Sequence, residues 1–199
     1  MLWLAIGAAA LGAVVLAASV SGARRPTIPA RERAVFHAIN GLPGWWYWPL
    51  WLPMQLGNLV VGTGVGLTVA WHSRSWTMAG AALLAAAMKL VAERLVRRWA
   101  ADALRVRQRP GTSEPGATLR GRDVPRSGPS FPSGHVILAV AIACVIAVEI
   151  PGALDWVPFV LAGLVMLGRV YVGAHNPLDV TAGLGAGLVI GAPVAYFLV

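Results

Sequence analysis

Six stretches of this sequence are apolar over most of the length a helix needs to cross a bilayer, about 20 residues. That pattern constrains the fold more than any other feature. The stretches lie at about residues 1–20, 52–71, 76–89, 132–150, 154–173 and 177–198, the third continuing as a more charged helix through Glu93, Arg94, Arg97 and Arg98. Amides in hydrocarbon have no water to bond, so such runs fold as helices that satisfy their own backbone. The expectation is an all-α fold, a six-transmembrane-helix bundle that forms a single domain over residues 1–199. Its long polar loop, residues 100–132, connects helices 3 and 4. Composition agrees, with 57% of the 199 residues hydrophobic and 12% charged, about half the charged share of a soluble domain. A disordered chain, a coiled coil and a water-soluble enzyme are poor fits to that balance.

Local signals place the ends of these segments. Arg24 and Arg25 follow the first apolar run and no Lys or Arg precedes it, the reverse of a secretory signal peptide, so it is expected to stay as the first helix. Residues 21–43 read as a polar loop whose end, 34–42, forms a short interfacial turn or helix. Trp45, Trp46, Tyr47, Trp48 and Trp51 mark headgroup level. Pro151 and Gly152 make a tight turn between the fourth and fifth spans. Gly183, Gly187 and Gly191 recur every four residues, and Gly62 and Gly66 repeat the spacing. Such small-residue faces let helices approach closely and also offer a contact for a homo-oligomer. Cys144, the only cysteine, forms no internal disulfide and reads as core packing.

A charge inside a span costs about 2.5 to 3.5 kcal/mol on insertion scales, so each one near a helix end needs a reason. Four places qualify. At Pro132-Ser133-Gly134-His135 a turn opens a helix, and helix starts expose unpaired N–H groups and the positive end of the dipole. Gly134 would let an anion approach the backbone, with His135 beside it; the tetrapeptide alone is equally a Ser N-cap and an interfacial histidine. In the segment from Arg169 to Asp179, Asn176 and Pro177 read as an N-cap and first helical position, which puts Asp179 in the first turn, able to turn back towards His175. A carboxylate that accepts one ring N–H fixes the tautomer and makes the other nitrogen a better nucleophile. Taken singly, Asp179 complements a helix dipole and Arg169 snorkels to the interface. Arg109-Pro110 follows Arg105 and Arg107; arginine forks suit phosphate, and arginines flanking a span also signal topology. Lys89, the only lysine beside 15 arginines, is the fourth. Counting spans, the 3–4 and 5–6 loops lie on one side, so Lys89, Arg109, Ser133, His135, Arg169, His175 and Asp179 can converge.

Arg109-Pro110, then Pro-Ser-Gly-His at 132 to 135, then Arg169, His175 and Asp179 with five and three residues between, resembles the three-part signature of the type 2 phosphatidic acid phosphatase (PAP2) superfamily. The resemblance covers about residues 89–179 in motif, and the six-span layout resembles its membrane branch. It implies a metal-independent lipid phosphate phosphatase without cofactor, acting on phosphatidate, phosphatidylglycerol phosphate or an isoprenyl mono- or diphosphate through a phosphohistidine. In that reading His175 attacks phosphorus, Asp179 holds its imidazole, and His135 protonates the leaving oxygen and then activates water. Arg109, Arg169, Lys89, Ser133 and the Gly134 amide bind the phosphate. Two positions depart from the family pattern. Gly168 stands where a serine usually precedes the arginine, and Asp102 stands where a lysine usually lies seven residues before Arg109. Lys89 is twenty residues ahead of Arg109, and Arg97, Arg98, Arg105 and Arg107 are alternative first-motif cations. A lipid phosphotransferase shares the chemistry up to the phosphohistidine; a non-catalytic protein binding anionic lipid is the rival from another class. His135, His175 and Asp179 are also residue types that ligate metals.

The formal charge is +8. Nine of the 16 cationic residues lie between Arg94 and Arg126 and four more in the first polar segment, all on the side of the candidate site. This excess assigns no nucleic-acid partner. The positive-inside rule puts the site at the cytoplasmic face of what is expected to be a bacterial inner membrane, with a lipid phosphate as its partner.

Overall fold

The computed structural model describes residues 2–25, 27–99, 107–122, 124–150 and 152–198. Among these there is no strand. The helices are α1 (Leu2–Ala23), α2 (Ala30–Asn40), α3 (Tyr47–Met54), α4 (Leu59–His72), α5 (Trp76–Trp99), the single turn α6 (Pro110–Ser113), α7 (Gly134–Ala147), α8 (Val157–Tyr171) and α9 (Pro177–Leu198). Asp102 and Arg105 lie outside the described residues, as do the Arg97 side chain and Pro151 of the expected turn.

The centre is α7. It is apolar all round and buried from Val136 to Ile146, as a helix with no polar face must be, and α4, α5, α8 and α9 surround it. α9 lies between α7 and α1. Its glycine stripe is what brings α7 so near: a Cβ at Gly187 would meet the Val140 Cβ at 2.6 Å, and one at Gly191 the Ala141 Cα at 2.7 Å. The stripe is therefore used for packing inside the chain. Gly66 likewise faces Ala82 across the α4–α5 contact. Cys144 is buried in α7.

Trp3, Leu4, Val14, Val60, Trp71, Trp76 and Phe197 stand exposed on the outside, an apolar surface larger than a water-soluble monomer carries. Among the described residues α1 and α9 are each long and apolar enough to cross a membrane. The second expected span, 52–71, is not one helix. The Gly44–Gly57 segment and α4 meet at 74°. Pro53 has no N–H to donate, the chain tightens into a 3-10 turn over Gln55–Gly57, and Asn58 starts afresh by accepting from the amides of Val60 (3.0 Å) and Val61 (3.3 Å). α7 and α8 are apolar and shorter, at 14 and 15 residues. α2 begins before the expected 34–42, on an extended Pro29, and so places Glu32 in its first helical turn.

Candidate active site

The start of α7, the end of α8, the start of α9 and the 107–130 segment meet at one end of the bundle. The Ser133 amide donates to the Asp179 carbonyl at 3.0 Å, which ties α7 to α9. The Ala174 and His175 amides both donate to the Arg169 carbonyl, at 3.0 and 3.2 Å, closing a tight turn at the end of α8. Arg109 reaches across to the Ala174 carbonyl, Nη1 to O 2.8 Å. The result is a cavity lined by Lys89, Glu93, Arg109, Ser130, Gly134, His135, Arg169 and His175.

Two histidines face this cavity from different elements, His135 on α7 and His175 on the 8–9 turn. Asp179 is fully buried behind His175, its Oδ2 3.8 Å from Nδ1. That oxygen also accepts from the Asn176 amide at 2.9 Å, half of a capping box, so Asp179 caps its own helix and faces the histidine at once. The Ser133 side chain occupies the N-cap of α7 without capping it, and its buried hydroxyl has no hydrogen-bond partner among the described residues. The first amides of α7 therefore point, with a spare hydroxyl, at the space that holds the cationic groups. A Cβ on residue 134 would collide with the Glu93 carboxylate and come within 3.0 Å of the Lys89 Cε, so the charged pair of α5 lies directly against the start of α7. The Lys89 Nζ and Glu93 Oε2 are 3.2 Å apart.

The sequence model of the PAP2 superfamily matches residues 2–199. The chain belongs to the PAP2 superfamily. It is 30% identical over 185 residues to decaprenylphosphoryl-5-phosphoribose phosphatase of Mycobacterium tuberculosis, covering 92% of this chain and 87% of that one. Among solved structures it is similar in fold to Aquifex aeolicus LpxE, with a TM-score of 0.70 at 22% identity over 82% of this chain and 94% of that one. It is also similar to a transmembrane PAP2 type phosphatidylglycerolphosphate phosphatase of Bacillus subtilis, with a TM-score of 0.67 at 23% identity over 97% and 94%. This PAP2 protein is a phosphatase and, with its apolar helices, an integral membrane protein.

The fold gathers Lys89, Arg109, Gly134, His135, Arg169 and His175 around one cavity, with Ser133 and Asp179 buried beside it. Lys89 reaches it because α5 runs past the start of α7, so its distance from Arg109 along the chain is no obstacle. Of the alternative cations, Arg98 is exposed to the outside and Arg107 turns away from the cavity. Arg107 instead donates from Nε to Asp179 Oδ1 at 3.0 Å and from its Nη atoms to both oxygens of Glu32. Glu32 is a participant the sequence reading passed over. It lies between Arg31 and Arg33 in the sequence. Here it also accepts the Leu178 amide at 3.0 Å, capping α9 in place of Asn176, whose side-chain amide donates to the Gln108 carbonyl.

Electrostatics favour a neutral His175. Burial pushes the His175 imidazole below its ordinary range; Asp179 opposes the shift, and Arg169 and Arg109 reinforce it. Burial alone would also lower Arg107, but Asp179 and Glu32 outweigh it and hold the guanidinium above its usual value.

Proposed function

We propose that this protein hydrolyses a membrane lipid phosphate, a monoester or diphosphate of the phosphatidate, phosphatidylglycerol phosphate or isoprenyl phosphate kind, through a phosphohistidine. The observation that carries this reading is the meeting in one cavity of two histidines with Lys89, Arg109 and Arg169, one histidine backed by a buried carboxylate. His175 Nε2 attacks phosphorus as the bond to the leaving oxygen breaks. Asp179 takes up the positive charge that grows on the ring by facing Nδ1–H. The phosphate's own charge favours a protonated His135, which gives its proton to the leaving oxygen. Neutral His135 then takes a proton from water; the resulting hydroxide equivalent displaces His175 and releases phosphate. Lys89, Arg109, Arg169, the Ser133 hydroxyl and the Gly134 amide hold the equatorial oxygens, whose charge changes most in the transition state. Two relatives, named for the dephosphorylation of decaprenylphosphoryl-5-phosphoribose and of phosphatidylglycerolphosphate, support the substrate class.

The whole chain acts as one domain with six crossings, made by α1, the α3–α4 pair, α5, α7, α8 and α9. The site then lies at the face carrying the first polar segment and the 107–130 segment, which the charge bias assigns to the cytoplasmic side of a bacterial inner membrane. A reporter fused to the C-terminus should then report from outside.

The deciding experiment is phosphate release by purified protein from each of the three lipid classes. One class should be hydrolysed with chelator present and inhibited by vanadate, and His175→Ala should be inactive though folded. Activity in His175→Ala, or activity lost in chelator and restored by zinc or manganese, overturns the mechanism.

A further inference from the structure

Behind the nucleophile lies a buried charge chain of Glu32, Arg107 and Asp179, of which the chemistry above uses Asp179 alone. Arg107 is 2% exposed and Asp179 0%. The guanidinium spends one edge on Glu32 and its Nε on Asp179 Oδ1. The Arg107 carbonyl is fixed in turn by the Ser130 amide (3.1 Å) and hydroxyl (3.2 Å). Three segments far apart in sequence, α2, the start of the 107–130 segment and α9, are locked together here. We infer that Arg107 and Glu32 are positioning residues of the phosphatase: Arg107 clamps one Asp179 oxygen so that the other faces His175, and Glu32 sets how much of the Asp179 charge reaches the ring.

The physics separates the two roles. Arg107 alone beside Asp179 would neutralise it and weaken its support for a positive imidazole. Glu32 returns a negative charge, so two carboxylates and one guanidinium present a net negative group to His175. Opposing it, His175 is faced by Arg169 from α8, by Arg109 from the 107–130 segment, by His135 from α7, and across the cavity by the Lys89 and Glu93 pair from α5. Buried ion pairs with one partner removed are costly, so near-isosteric changes are the informative ones.

The inference rests on the proposed function, and the test separates the two. Glu32→Gln keeps the shape and an acceptor for the Leu178 amide but removes the charge. It should move the acidic limb of kcat/KM to lower pH by about 0.5 to 1 unit. Arg107→Lys keeps the charge but loses the fork. It should lower kcat about 10- to 100-fold with KM within about twofold and the limb in place, as misplacement of a nucleophile does. A purely structural role would lower the yield or the melting temperature and move neither readout. Both variants unchanged in kcat and limb, while His175→Ala is dead, overturns the inference and leaves the function standing. An active His175→Ala overturns both. The His175 ring titration, followed by NMR in isotope-labelled protein, gives the same answer without turnover: no downward shift in Glu32→Gln refutes the role of its charge.

Discussion

Replacing Asp179 by asparagine changes one atom of a carboxylate that is held from both sides. Oδ1 accepts from Arg107 Nε at 3.0 Å, and Oδ2 accepts from the Asn176 amide at 2.9 Å and faces His175 Nδ1 at 3.8 Å. Arg107 can only donate, so the asparagine oxygen turns to it and the NH2 group is left facing the Asn176 amide and the ring. Two consequences follow. The Asn176 N–H loses its acceptor inside the protein, which costs about 1 to 3 kcal/mol of stability. The NH2 group demands an acceptor at Nδ1, which moves the ring proton to Nε2 and removes the lone pair that attacks phosphorus. For a histidine held in the wrong tautomer the loss in kcat is about 10⁴-fold, or about 5.4 kcal/mol of barrier. Single-turnover phosphate release by the purified variant measures it, with vanadate binding as the check that the phosphate seat survives. Turnover within about tenfold of the parent protein, at unchanged vanadate affinity, would refute the tautomer argument.

The lowered His175 value sets a pH signature. Because the native ring binds protons less readily than the unfolded one, whose ordinary value is 6.5, the unfolded state takes up more protons as pH falls, and stability declines below about pH 6.5. The acidic limb of kcat/KM should likewise lie below 6.5, and a limb above it contradicts the burial argument. Gly187→Val should lower thermal stability sharply, by about 1 to 3 kcal/mol or more, since even its Cβ meets Val140 at 2.6 Å and the Ile137 carbonyl at 2.9 Å. Gly163→Ala, where nothing lies within 4 Å of the new carbon, is the control and should melt as the parent does. Lys89→Met should weaken vanadate inhibition about tenfold or more by removing a charged phosphate partner; unchanged inhibition would remove Lys89 from the phosphate seat.

Residues whose roles depend on short spacing were legible in the chain. His175 and Asp179 are four apart across a helix start, and Ser133, Gly134 and His135 sit on another, so local geometry alone brings each set to one place. Lys89 was legible as an anomaly, a lone lysine in a span, while its partner Glu93 and its approach to Gly134 depend on how α5 crosses α7. Which of Arg107 and Arg109 turns to the cavity is decided by what waits there. Arg109 meets a carbonyl in the 8–9 turn, whereas Arg107 meets two carboxylates, one brought from 75 residues away. Glu32 was illegible for the same reason, since its partners Arg107 and Leu178 lie 75 and 146 residues further along the chain. The bend before α4 had its signals in view, Pro53 and Asn58, but an apolar run long enough to cross masked them.

The pairing of α1 with α9 sets a clock on assembly. In synthesis α1 waits for α9, its main partner, and at about 5 to 20 residues per second that wait is roughly 10 to 35 s. Until then the exposed face of α1 has only lipid and transient neighbours to lean on, and Glu32 and Arg107 stand as charges without Asp179. α9 also carries Asp179, the carboxylate that faces His175. A nascent chain lacking α9 thus lacks both the main contact of α1 and that carboxylate.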